Sequence, residues 1–176
     1  MKIKETKIKG LFIVHGLNFS DLRGILIKPF STNFFEDELN INLKFKETWF
    51  TKSHKGVIRA MHLQIGEFAC EKLVSVINGA VLDVVLDLRK ESKTYGEWFE
   101  FELSDNIPIA LYIPKGCAHG YKVLKDNSIT MYMATEVNVP KDDIGIRWDS
   151  FGYNWELENP ILSEKDKMLP VFEWPK

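Results

Sequence analysis

Residues 73–88 read LVSVINGAVLDVVLDL, two β-branched, aliphatic runs on either side of Asn78-Gly79. Asn-Gly is the dipeptide that best accepts positive φ at both central positions of a tight turn, so this segment predicts a β-hairpin. Shorter runs of the same texture lie at residues 25–30, 47–53, 96–103, 110–113, 121–124 and 129–136, with Gly, Pro, Asn and Asp between them. Strands repeating about every ten residues predict a mainly β sandwich or barrel. Helix is expected only in short pieces, at residues 34–39 and at 163–166, where Ser163 before acidic residues has the form of an N-cap. Beyond Pro140, Trp148, Trp155 and Trp174 stand among prolines. We read residues 140–176 as an extended tail that packs back on a barrel core of about residues 20–137. Together they form one domain of residues 1–176.

Composition narrows the function classes. A 176-residue chain can bury a sizeable core. With a net charge of −2 and 45% apolar residues, it is neither a disordered segment nor a basic nucleic-acid binder. Cys70 and Cys117 form no CxxC pair, which disfavours a disulfide scaffold and suits a reducing compartment. Lys alternates with Ile near the N-terminus, no signal-like apolar segment follows, and no apolar run reaches the roughly 18 residues of a membrane span. The expectation is a cytoplasmic protein without membrane or nucleic-acid partners, whose function sits in a specific site.

Four histidines are present, and context separates them. In the run Arg59-Ala60-Met61-His62-Leu63-Gln64, strand alternation places Ala60, His62 and Gln64 on one face and Arg59, Met61 and Leu63 on the other. An imidazole facing a half-dry barrel interior titrates near neutrality and can serve as a general base; the alternative is a hydrogen-bonded structural histidine. Lys72 opens an apolar strand, facing the same way as Val74, and either snorkels from an edge or points into a polar cavity where it would stabilise an oxyanion. Tyr132 is either a packing residue or a proton donor. His119 follows the Pro114-Lys115-Gly116 turn and is expected at a barrel mouth. Arg23 and Arg59 are either a bidentate phosphate clamp or surface ion-pair partners. A barrel metal site asks for a second histidine and an acid. Gln64 and Lys72 stand where these would be, and the lysine would repel a cation, so no metal is expected.

The ordered motifs Phe19 with Asp21-Leu22-Arg23-Gly24, Arg59-Ala60-Met61-His62-Leu63-Gln64, Lys72-Leu73-Val74, Ala118-His119-Gly120-Tyr121, Tyr132 and Leu162-Ser163-Glu164-Lys165-Asp166 cover most of the chain. In these the sequence resembles the RmlC-like cupins, the nucleotide-sugar 3,5-epimerases. The resemblance implies a double-stranded β-helix (jelly-roll) barrel, a homodimer, a nucleotide-diphosphate sugar as substrate and no cofactor. It further implies His62 as base, Asp166 as the holder of its imidazole, Lys72 beside the C4 carbonyl and Tyr132 as acid on the opposite face. Phe19, Arg23 and Arg59 would hold the nucleotide diphosphate, and His119 would lie near the sugar. The residue types agree with the chemistry. A 4-keto group acidifies the hydrogens at C3 and C5, and inversion needs a base, an opposite donor and a group at the oxygen.

Five positions depart from the family. Lys28 stands where a glutamate is usual, and Glu47 and Trp49 replace a Gln-x-Asn pair that helps hold the nucleotide. Asn138 replaces an active-site tyrosine, and Ala60 replaces a glycine on the expected His62 face. A carboxylate at Glu47 can accept from an amino-bearing base, so dTDP-, CDP- and GDP-linked sugars all enter consideration. A 3,4-ketoisomerase of the same fold and an inactive nucleotide-sugar-binding module are the rival readings.

Overall fold

The computed structural model describes residues 1–174; the last two residues of the tail expected at 140–176 lie outside the described residues. In chain order its elements are β1 (Lys2–Glu5), β2 (Phe12–His15), β3 (Leu17–Asp21), β4 (Gly24–Lys28), α1 (Thr32–Leu39), β5 (Glu47–Ser53), β6 (Ile58–Gln64), β7 (Lys72–Asn78), β8 (Ala80–Asp87), β9 (Trp98–Ser104), β10 (Ile109–Ile113), β11 (Cys117–Val123), β12 (Ser128–Ala134), β13 (Asp143–Gly145) and α2 (Glu164–Lys167). The strands form a six-stranded sheet in the order β1-β2-β10-β7-β12-β5, a five-stranded sheet in the order β13-β6-β11-β8-β9, and a separate β3-β4 ribbon. This is the mainly β jelly roll expected. The sheets take in residues on both sides of the 20–137 span, because β1 and β2 at one end and β13 at the other pair with core strands.

Residues 73–88 are not a hairpin. β7 pairs with β10 and β12, whereas β8 pairs with β11 and β9, so the chain passes at Gly79 from one sheet to the other. Only Gly79 has positive φ (+82°), and Asn78 does not, so the two-residue turn that would fold the strands together is not formed. The corner is held instead from outside. The Gly79 N–H donates to Asp105, the Ala80 N–H donates to the Ser128 hydroxyl, and Asn78 Nδ2 donates to the Asn127 carbonyl. A Cβ at Gly79 would lie 2.3 Å from Ser128 Oγ, which is why glycine occupies the crossing.

Val74, Val81, Val85, Leu103, Leu111, Ile113, Tyr121 and Val123 fill the space between the sheets. On the outer face of the larger sheet, Phe35 of α1 packs with Val14, Leu73 and Tyr112. On the outer face of the smaller sheet, Phe151, Tyr153, Trp155 and Phe172 cover Ala60, Met61, Leu63 and Leu86, so the described part of the tail does pack back on the barrel. This packing brings α2 against β6 from more than a hundred residues downstream. α2 starts at the expected cap, with the Ser163 hydroxyl accepting from the Asp166 N–H. Both cysteines are free and buried, and no helix among the described residues is long and apolar enough to cross a membrane.

Candidate active site

A cavity of about 840 Å³ opens between the sheets, lined chiefly from β5, β6, β7, β11, β12 and the start of α2. His62 contributes from β6. Its Nε2 lies 2.7 Å from Asp166 Oδ1, and the buried carboxylate belongs to α2. With the proton assigned to Nε2, where Asp166 accepts it, Nδ1 keeps a lone pair; that nitrogen is buried and has no partner among the described residues. A carboxylate fixing one imidazole nitrogen and leaving the other unprotonated is the arrangement of an oriented general base.

Arg59 lines the same cavity, against the expectation from alternation. β6 and β11 slip register between the pairs His62–His119 and Arg59–Tyr121, three residues on β6 facing two on β11. This bulge rotates Arg59 onto the His62 face and sends Ala60, with Met61 and Leu63, into the core beneath the tail. Ala60 is therefore not a wall of the pocket; its methyl group packs toward Gly120. The Arg59 guanidinium donates from Nε to Ser53.

Lys72 enters from the first position of β7. Burial lowers its pKa from the ordinary lysine value, partly offset by the neighbouring Cys70 and Asp143. Tyr132 of β12 is buried, and burial, with Tyr121 as the next contributor, raises its phenol well above the ordinary value. The phenol therefore retains its proton at neutral pH. Its ring is sandwiched by position. Trp49 of β5 stacks on it at 5.0 Å between centroids and 6° between planes, and His119 meets it edge-on at 5.9 Å. His119 is not at a mouth; it is buried on β11 opposite His62, and its Nε2 lies 2.8 Å from the buried Asp83.

The remaining expected residues divide. Gln64 lines the cavity, but its amide donates to the Phe68 and Val137 carbonyls and accepts from the Val139 N–H, so it braces two loops. Glu47 and Asn138 meet at the rim, where Glu47 Oε2 accepts from the Asn138 N–H at 3.0 Å. Phe19, Arg23 and Lys28 lie outside the cavity on the exposed β3-β4 ribbon; Phe19 is 63% exposed and the Arg23 guanidinium is bound to Asp21. Sequence reasoning assigned no role to Asp83, nor to the Tyr121 hydroxyl, 2.7 Å from Thr51 Oγ1. Asp83 had a legible signal, since a carboxylate inside the apolar run AVLDVVLD must find a partner if buried.

Comparison with known proteins supplies the family. The sequence matches the family described as dTDP-4-dehydrorhamnose 3,5-epimerase over residues 5–173. It is 38% identical over 168 residues to the enzyme of that name from Methanothermobacter thermautotrophicus, covering 93% of this chain and 90% of the relative. To the Escherichia coli enzyme it is 36% identical over 172 residues, covering 96% and 93%. Among solved structures, the Bacillus anthracis epimerase with TDP and pyrophosphate bound superposes with a TM-score of 0.93 at 33% identity, covering 97% of this chain and 99% of that one. The Legionella pneumophila enzyme in complex with dTDP-4-keto-L-rhamnose gives 0.88 at 32% identity, covering 98% and 99%. With an imidazole held by a buried carboxylate, a protonated phenol and a half-buried lysine in one jelly-roll cavity, and with relatives matching along nearly its whole length, the chain is an isomerase belonging to the dTDP-4-dehydrorhamnose 3,5-epimerase family.

Proposed function

We propose that the protein inverts C3, C5 or both in a 4-keto-6-deoxy sugar linked to a nucleoside diphosphate, dTDP, CDP or GDP, in the cytoplasmic synthesis of a surface-polysaccharide sugar. The observation that carries this reading is the pairing of half-buried His62 with buried Asp166 in one cavity with Tyr132 and Lys72. His62 removes the hydrogen next to the ketone. Asp166 stabilises the imidazolium that forms, and the electron pair of the broken C–H bond moves onto the C4 oxygen. Lys72, in its cationic form, stabilises that oxyanion. Tyr132, still protonated, returns a proton to the carbon from the opposite face. The ketone activates its own neighbours and the carbon oxidation level does not change, so the steps balance without a redox partner.

The diphosphate falls to Arg59, the arginine on this chain's cavity wall. Phe19, Arg23 and Lys28 enter the reading through a homodimer. The β3-β4 ribbon joins neither sheet and exposes Leu17, Phe19, Leu22, Ile25, Leu26 and Ile27. Such an apolar arm is stable in water when another surface covers it. A second copy would bring the arm's Phe19 and Arg23 to the nucleotide.

Proton NMR in deuterium oxide with dTDP-, CDP- and GDP-linked 4-keto-6-deoxy sugars tests the activity. Wash-out of the C3 or C5 hydrogen followed by the inverted product is the expected result. Carbonyl migration to C3 would establish the ketoisomerase instead, and tight binding without exchange would establish a binding module.

A further inference from the structure

In the epimerase reading above, on which this inference rests, Tyr132 has to aim its O–H at one face of one carbon, so what holds its ring matters as much as its proton. The ring contacts come from two strands. His119 and Tyr121 of β11 approach at 5.9 and 6.5 Å between ring centroids, inclined by 69° and 40°. Each is fixed by a bond of its own, His119 to the buried Asp83 and Tyr121 to Thr51. The third contact is Trp49, the direct register partner of Tyr132 across β5 and β12. Opposed residues of an antiparallel pair point to the same face. Here their rings lie almost parallel, 6° apart with centroids at 5.0 Å, an offset stack. β5 ends the six-stranded sheet, and Trp49 is 37% exposed where Tyr132 is 6%. The indole is therefore the wall that stands between the phenol ring and water.

An enolate formed in this cavity has two fates. A proton returned by the His62 imidazolium, from the face of abstraction, gives exchange with solvent hydrogen and no inversion; one returned by Tyr132, from the opposite face, inverts the centre. The ratio depends on where the phenol points when the enolate forms. We propose that Trp49 is a positioning residue for Tyr132: its indole fixes the plane of the phenol ring, keeps water from that ring face, and so sets how often proton return inverts the carbon. Trp49 itself moves no proton. The proton passes from the Tyr132 hydroxyl to the carbon, the electron pair on the C4 oxygen re-forms the ketone, and the phenolate then takes a proton from water while the imidazolium loses one to it. An indole that served the substrate instead, by stacking on its base or sugar, would set KM and leave the ratio alone.

Proton NMR in deuterium oxide gives the wash-out and inversion rates from one time course, with whichever of the dTDP-, CDP- and GDP-linked sugars the parent exchanges; circular dichroism and a urea midpoint check the fold of each variant. Trp49→Leu and Trp49→Thr, which suit a strand but carry no ring, are expected to lower inversion relative to wash-out by about tenfold or more, within the cost of a misplacement of about 1 Å. Trp49→Phe, which keeps a ring to stack, is expected to restore most of the ratio. In a Tyr132→Phe background, Trp49→Leu is expected to add no further loss of inversion, because the group it positions is already gone. Equal losses of wash-out and inversion, a raised KM with the ratio unchanged, or losses that multiply in the double variant overturn the positioning role, while the parent's own exchange and inversion leave the epimerase reading standing. A parent that exchanges none of the three sugars overturns that reading, and the positioning role with it.

Discussion

At the scale of single residues the site divides its labour by environment. His62 and Asp166 meet only because Ser163 caps α2 and sets the carboxylate against β6. His62→Ala is expected to abolish exchange of the hydrogens next to the ketone while the fold remains, read by NMR in deuterium oxide and by circular dichroism. Tyr132→Phe should affect exchange mildly and inversion severely, because abstraction proceeds without the opposite donor; equal losses would make the tyrosine structural. Lys72 sets a pH limit. Burial lowers its folded pKa below the ordinary 10.5, so its cationic form is full at low pH and lost as pH rises through that lowered value. The alkaline limb of kcat/KM is therefore expected below the ordinary lysine range. It should vanish in Lys72→Met, whose residual rate should be lower by about 10²-fold or more, the usual cost of one oxyanion group. Tyr132, pushed upward by burial, does not supply that limb.

At the scale of elements, corners and loops hold the strands that carry these groups. Asp87, at the end of β8, accepts from the Arg89 guanidinium and from the Ser92 and Thr94 hydroxyls, and these bonds hold its pKa down at about 2 against the desolvation that opposes them. A carboxyl depressed in the folded state stabilises fully above its unfolded value near 4, and that contribution is lost as pH falls toward 2. Asp87→Asn is expected to lower stability at pH 7 by about 1.5–3 kcal/mol, the range for hydrogen bonds to charged groups, and to flatten the acid limb of a urea midpoint-versus-pH series. Gly79→Ala belongs to the same scale. Its Cβ would press on Ser128 at a position with φ +82°, and a cost of about 1–3 kcal/mol is expected. A denaturation midpoint equal to the parent's would show that the corner yields.

At the scale of the whole molecule, the β3-β4 ribbon is the element with no account inside one chain. Ile25 and Leu26 are more than half exposed and lie on strands that pair only with each other. On the homodimer proposed above, a double change, Ile25→Asp with Leu26→Asp, is expected to convert dimer to monomer in sedimentation velocity; a parent protein that sediments as a monomer overturns that proposal. The double change should raise KM for the nucleotide sugar more than it lowers kcat, because the arm would hold nucleotide and not reacting carbon. A dimer unchanged by both substitutions would place the interface elsewhere.

Residue types and their order were enough for much of this protein. β-branched runs at short intervals made it β-rich, the family resemblance added the jelly roll, Ser163 announced α2, and the motifs around His62, Lys72, Tyr132 and Asp166 named the candidate groups that the fold brings to one cavity, because motif order and local backbone preference are properties of the sequence itself. Tertiary structure decided where those groups face. The Asn78-Gly79 turn became a crossing between sheets because Asp105 and Ser128, distant in sequence, supply its hydrogen bonds. Arg59 turned into the cavity, and Ala60 out of it, because β6 and β11 pair through a bulge. His119 went to the interior because a buried carboxylate, Asp83, waits for it there. Period-two alternation holds only along an unbroken ladder, and whether a ladder breaks depends on the partner strand, which no local stretch of sequence contains.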